Sequence, residues 1–213
     1  VELRDSRDPA VHRRKDFSGV VVSLRSLQPE AADRAAKRPA TILQKDKTFS
    51  PHVLAVAKGT VVNFPNADPI FHNAFSSYNG QIFDVGLYPP GTNRAVRFAR
   101  EGVVRVFCNI HSAMSAVIVV VASPYFATSD RAGAFQIADV PAGEYELNIF
   151  HERASEAALG ALRHKLTVTG QNLVIPPIAI SEAGYLPMQH RNKFGLEYPP
   201  EPRDPLTYPG NSR

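Results

Sequence analysis

The apolar residues of this chain come in short β-branched runs, each cut off by a turn cluster. "SGVVVSL", "ATILQ", "HVLAVAKGTVVNF", "NRAVRFAR" and "GVVRVFC" follow one another, separated by "KDKT", "NADP" and "YPPGT". Runs of four to eight residues punctuated by Gly, Pro, Asn and Asp read as strands. Several such strands in succession predict an all-β chain built as a sandwich or Greek-key barrel. Only "PEAADRAAKR", residues 29–38, has the Ala, Glu, Lys and Arg content of a helix, and it sits where a loop insertion would fall.

Four zones follow. Residues 1–15 hold the densest basic stretch, "RDSRDPAVHRRKD", interrupted by acids, and read as a solvated, weakly ordered arm. Residues 16–123 are the first β domain. Residues 124–180 repeat the pattern at smaller scale: "FATSDRAGAFQIADVPAGEYELNIFHE" alternates apolar and polar residues around two turns, placing Tyr145, Leu147 and Ile149 on one strand face. "SEAALGAL" is a single helical turn or an ordered loop, and "HKLTVTG" and "NLVIPPIAI" supply further strands. Residues 181–213 are rich in Pro and lack a period. They bury too little apolar surface to fold alone. Their spaced Tyr185, Leu186, Phe194, Tyr198 and Tyr208 read as anchors of an extended strap on its own domains or on another protein.

With 213 residues and 44% hydrophobic content the chain can bury a core. No apolar run approaches the roughly 20 residues that span a bilayer. The net charge of +4 is scattered, so no nucleic-acid partner is expected. The start at Val1, with no initiator Met or apolar leader, is read as that of a mature, exported product.

The segment "RVFCNIHSAMSAVIVVV", residues 105–121, holds the single cysteine. Cys108, His111 and Met114 place a thiol, an imidazole and a thioether in one short loop between two strands. Copper centres that transfer single electrons use a thiolate, two imidazoles and a weak axial thioether, a mixed donor set that suits both oxidation states. Closing so short a loop costs little chain entropy. The candidate second imidazole is His72, in "FPNADPIFHNAFS" beside Phe71 and Phe75. Taken singly, Cys108 would be a small buried hydrophobe, Met114 core filling and His72 a hydrogen-bonded loop residue. Their order and spacing together favour copper.

An upstream His followed by a C-x2-H-x2-M loop resembles the cupredoxins, and the short loop is most similar to the amicyanin type. "FSPHVLAVAKGTVVNFPNADPIFHNAFS" with "VFCNIHSAM" resembles bacterial plastocyanin-like proteins of the methylamine-utilisation kind. The "DRAGAFQIADVPAGEYELNIFHE" stretch resembles the carboxypeptidase regulatory-like, transthyretin-like β-sandwich. The resemblance implies a cupredoxin-like Greek-key sandwich followed by a small transthyretin-like sandwich. It implies one type 1 copper held by His72, Cys108, His111 and Met114. It also implies that Asn73 ties the two ligand loops together, its backbone N–H pointing toward the thiolate. Where many short-loop relatives have Pro two residues after the Cys, this chain has Ile110, which keeps an N–H able to bond the sulfur and favour Cu(I).

The function expected is periplasmic electron transfer between redox partner proteins, without enzymatic chemistry. His111 is expected to be exposed as the electron portal, with Ala113 and Pro89 at the docking surface. The alternative is a structural subunit of an envelope or membrane redox complex, docked through the C-terminal tail. His52 reads as a strand-start residue, and His151 with Glu152 as a minor candidate for a second metal site. Phosphate loops and nucleophile triads are absent from the sequence.

Overall fold

The computed structural model describes residues 1–28, 39–77, 80–186 and 190–199; the helix expected over 29–38 lies outside them. The elements are β1 (Glu2–Arg4), α1 (Pro9–Arg14), β2 (Val21–Ser26), β3 (Ala40–Thr41), β4 (Leu43–Lys45), β5 (Thr48–Ser50), β6 (Val53–Ala57) and β7 (Val61–Pro65). There follow β8 (Phe75–Ser76), β9 (Phe83–Asp84), β10 (Asn93–Arg97), β11 (Gly102–Phe107) and β12 (Ser115–Val121). The last are β13 (Phe126–Thr128), β14 (Gly143–Phe150), α2 (Glu156–Ala161), β15 (His164–Val168) and β16 (Ala179–Ser181). The chain is nearly all β, as its runs predict.

A three-stranded sheet, β10-β7-β3, and a five-stranded sheet, β6-β12-β11-β8-β9, form the first unit. Alternate residues of each point into one shared core: Val62 and Phe64 from β7, Val104 and Val106 from β11, Ala116, Ile118 and Val120 from β12. Strand β12 is apolar on both faces, and both are used. Its other set, Val117, Val119 and Val121, packs against Val21, Phe126 and Phe150 of a second β unit. A strand covered on both sides is what a continuous β-branched run provides.

The second unit is a four-stranded sheet, β13-β2-β14-β15, with the parallel pair β1-β16 contributing to the same core. Tyr145, Leu147 and Ile149 line that core on one face of β14, as their alternation predicts. Two expectations are corrected here. Strand β2, placed by sequence in the first domain, pairs with β13 and β14 instead. Its "VVV" run is apolar on both faces, so it suits either sheet, and Val22 and Leu24 enter the second core while Val21 enters the joint. Residues 1–15 are not a loose arm. Leu3 of β1 and Val11 of α1 are buried in the second core, and β1 pairs with β16 from the far end of the chain. The helix starts because the Asp8 carboxylate accepts the Ala10 N–H at 2.7 Å and Pro9 takes its first turn.

Of the "NLVIPPIAI" run, only its last two residues enter a strand, β16. "SEAALGAL" forms α2, capped by the Ser155 hydroxyl, which accepts the Ala158 N–H.

Candidate metal centre

Strands β11 and β12 are hydrogen-bonded as far as the pair Phe107–Ser115, so residues 108–114 form the loop that joins them at one end of the sandwich. The loop is closed from within. The Cys108 N–H donates to the Met114 carbonyl at 3.1 Å, and the Met114 N–H to the His111 carbonyl at 3.2 Å. Cys108 and Met114 are fully buried in the sandwich core.

His72 reaches the same place from the segment before β8. Its backbone exchanges two hydrogen bonds with Tyr88, at 3.2 and 2.9 Å. Tyr88 is itself buried, donating its hydroxyl proton to the Phe64 carbonyl at 2.8 Å and accepting from the Gln44 amide. Burial, with the Cys108 charge nearby, pushes the Tyr88 phenol well above its ordinary pKa, so it stays a neutral anchor.

The structure brings three predicted donors together. The Nδ1 atoms of His72 and His111 lie 3.9 and 3.5 Å from Cys108 Sγ. The donor atoms of all three residues lie within 4.8 Å of one another, and this is the only such group of His, Cys, Asp or Glu among the described residues. They could hold a metal ion. The rings of His72 and His111 meet edge to face, their centroids 4.9 Å apart.

Sequence reasoning missed Asp68. Its Oδ2 accepts a 2.7 Å hydrogen bond from His72 Nε2, which assigns the ring proton to that nitrogen and leaves the Nδ1 lone pair facing the sulfur. Burial lowers the His72 pKa and outweighs the opposing pull of Asp68, so the ring is neutral, the form that binds metals. Burial acts to raise the Asp68 pKa. The Lys47 N–H, His72 and the Asp46 N–H together overcome it and hold the carboxyl below its usual range. Those two amides, at 2.9 and 2.6 Å, come from the tight turn between β4 and β5, where Asp46 and Lys47 both have positive φ. The available signal was a carboxylate four residues before the His.

Asn73 is buried, but its side chain does not bridge directly to the Cys108 loop. Its amide donates to Asp84 Oδ1 at 2.8 Å and to the Gly86 carbonyl at 2.9 Å. Ile110 stands at the rim, partly exposed. The expectation of an exposed His111 is not met, since only 8% of its surface is accessible.

Residues 190–199 of the tail lie on this loop, which places that part of the strap on its own chain. The His190 ring stacks on Phe107 with centroids 4.0 Å apart, and its Nε2 donates to the Ser112 carbonyl at 2.8 Å. Tyr208 lies outside the described residues.

The remaining histidines do not assemble into a second metal site. His151 and Glu152, adjacent in sequence, take different partners. His151 Nε2 donates to Glu182 at 2.6 Å, while Glu152 binds His52 Nε2 at 3.0 Å. Both ring nitrogens of His52 face acceptors, Glu152 and the Ser115 carbonyl, and the Glu152 bond foremost raises its pKa.

No protein-family model matches the chain, and no curated protein matches it. Its solved structural neighbours include cupredoxins, each aligning with less than half of the chain. The copper-containing nitrite reductase of Thermus scotoductus SA-01 aligns over 44% of this chain at 26% identity, with a TM-score of 0.38. This chain spans 25% of that reductase's length. A purple cupredoxin from Nitrosopumilus maritimus aligns over 38% of this chain and 99% of its own, at 26% identity and a TM-score of 0.35. An amicyanin aligns over 47% of this chain and 98% of its own, at 18% identity and a TM-score of 0.37.

Proposed function

We propose that the chain carries single electrons on one type 1 copper ion held by His72, Cys108, His111 and Met114. The observation that carries this reading is the convergence of one buried thiol and two imidazole Nδ1 atoms, with the far nitrogen of His72 locked by Asp68. That donor set fits copper: a soft sulfur and two borderline nitrogens accommodate both Cu(I) and Cu(II). Copper bound there supplies a one-electron couple.

The rest of the work belongs to the protein. Asp68 holds His72 in the tautomer that presents Nδ1. The segment between β7 and β8 and the loop between β11 and β12 hold the donors on the packed sheets, so little rearrangement accompanies a change of charge. The complete burial of Cys108 excludes water and competing ligands from the sulfur. Ile110 keeps the N–H that a proline would lack, and we assign it to the thiolate, where it draws off charge and favours Cu(I).

We infer that the partners are redox proteins met in the periplasm, and that the chain is a carrier and not an enzyme. Around the centre, the exposed Phe71 and Leu87 join Ile110, Ala113 and Pro89 in an apolar rim suited to brief docking. The second β unit is read as the carboxypeptidase regulatory-like, transthyretin-like module, a rigid support joined to the back of β12. Docking into a membrane complex through the C-terminal tail belongs to the same proposal.

Reductive titration tests the function. Copper-loaded protein should take up one electron per chain from a chemical reductant and return it to a one-electron oxidant, while Cys108→Ser should not cycle. A wild-type protein that binds copper yet shows no reversible one-electron couple would leave only the structural-subunit reading.

A further inference from the structure

We propose that the tail from His190 to Tyr198 is a wall of the metal centre, with His190, Lys193 and Tyr198 acting as positioning residues for the 108–114 loop. The proposal rests on the metal-site reading above and deepens it. Loops at the end of a sandwich are ordinarily its most mobile parts. Here the loop carries donors that must be held still, and two backbone hydrogen bonds close it from within.

The strap supplies the rest at four separate points. The Tyr198 hydroxyl donates to the carbonyl of Cys108 itself at 2.8 Å. The Lys193 N–H donates to Asn109 Oδ1 at 3.0 Å. His190 donates to the Ser112 carbonyl and stacks on Phe107, the last residue of β11. His111 therefore sits between two loop residues, Asn109 and Ser112, that the strap holds.

Lys193 does a second job. Its ammonium group pairs with Asp84 Oδ2 at 2.7 Å, and Asp84 Oδ1 accepts from the Asn73 amide. The path Asn73–Asp84–Lys193–Asn109 joins the residue after the first ligand to the residue after the cysteine. The tie between the two ligand loops that the resemblance assigned to Asn73 alone is thus completed through the tail. Phe194 and Leu196 point outward, 69% and 64% exposed, so the strap grips with its polar groups and its ring stack and offers its apolar side chains to solvent.

The test uses the full-length, metal-free protein and the rate at which iodoacetamide alkylates Cys108, read as a single mass shift because the chain has one cysteine. The combined His190→Ala, Lys193→Ala, Tyr198→Phe variant should react at least about tenfold faster, and Tyr198→Phe alone about threefold faster, as expected for loosening contacts of ordinary hydrogen-bond strength. Leu196→Ala, on the outward face, should react at the wild-type rate. Lys193→Arg should retain the slow rate, since it keeps a cation for Asp84. Should the combined variant fail to fold, Tyr198→Phe alone carries the test. Rates within twofold of wild type in a folded combined variant or in Tyr198→Phe would overturn the proposal, as would equal acceleration by Leu196→Ala. With Cu(II) added, the combined variant should shift the visible band of the wild-type protein, and Leu196→Ala should not. Faster alkylation with no visible band in any variant would keep the strap and refute the copper reading. A visible band with unchanged alkylation would keep copper and refute the strap.

Discussion

The protein contains two buried histidine–carboxylate pairs of nearly equal length, and they do different things. His72 donates to Asp68 at 2.7 Å, and His151 donates to Glu182 at 2.6 Å. In both, burial outweighs the carboxylate and lowers the histidine pKa. The difference lies in what surrounds each pair. Around His72 the second ring nitrogen meets a thiol and another imidazole. Around His151 the second nitrogen has no hydrogen-bond partner among the described residues, and the carboxylate is shared with Ser6 and with Arg153, whose Nε is 3.0 Å away. Ser6 follows β1, Glu182 follows β16 and His151 follows β14, so this cluster ties the first and last described strands to the second sheet. A buried histidine–carboxylate pair is thus a positioning device in either case, and only converging donors make one of them a candidate metal site.

That contrast can be broken in several ways, the largest first. At about 1,000 times its dissociation constant, copper should stabilise the wild-type protein by about 4 kcal/mol. Denaturant unfolding should show that gain undiminished in His151→Ala and mostly gone in His72→Ala. A full gain in His72→Ala would show that the two clusters had been assigned the wrong roles. In the metal-free protein both variants leave a buried carboxylate short of one donor, and each should cost roughly 3 kcal/mol in the same unfolding measurement.

The carboxylates sharpen the comparison at smaller scale. Asp68→Asn should weaken copper binding by about 10- to 100-fold, since it loosens the orientation of His72. Glu182→Gln should leave copper affinity unchanged in a competition titration. The smallest effect is one of pH. The His151 pKa is lower in the folded protein than its unfolded value of about 6.5. As pH falls below that value the unfolded chain gains a proton that the folded one resists, so stability falls; above it the contribution is constant. The stability difference between wild type and His151→Gln should therefore narrow as pH falls from 7 to 5. A difference independent of pH would mean that His151 titrates normally in its cluster.

The sequence made some of this legible and hid the rest for physical reasons. Cys108, His111 and Met114 could be read because one short loop holds them, and His72 because it stands in an apolar segment between strand signals. Asp68 was within view, but what fixes it is a pair of turn amides at Asp46 and Lys47, and backbone donors leave no residue signature. The side of the molecule that β2 would join was illegible because Val21 and Val22 both need burial. The place of the strap was hidden for a similar reason: Tyr198 and His190 bind carbonyls of Cys108 and Ser112, groups every residue possesses. Aromatic spacing foretold anchors without saying on what.

Whether Cys108 is a copper ligand is read from the visible absorption of metal-free protein on addition of Cu(II). An intense band from thiolate-to-copper charge transfer is expected, saturating at one copper per chain and absent from Cys108→Ser. A colourless wild-type protein that binds copper no better than Cys108→Ser would contradict that role.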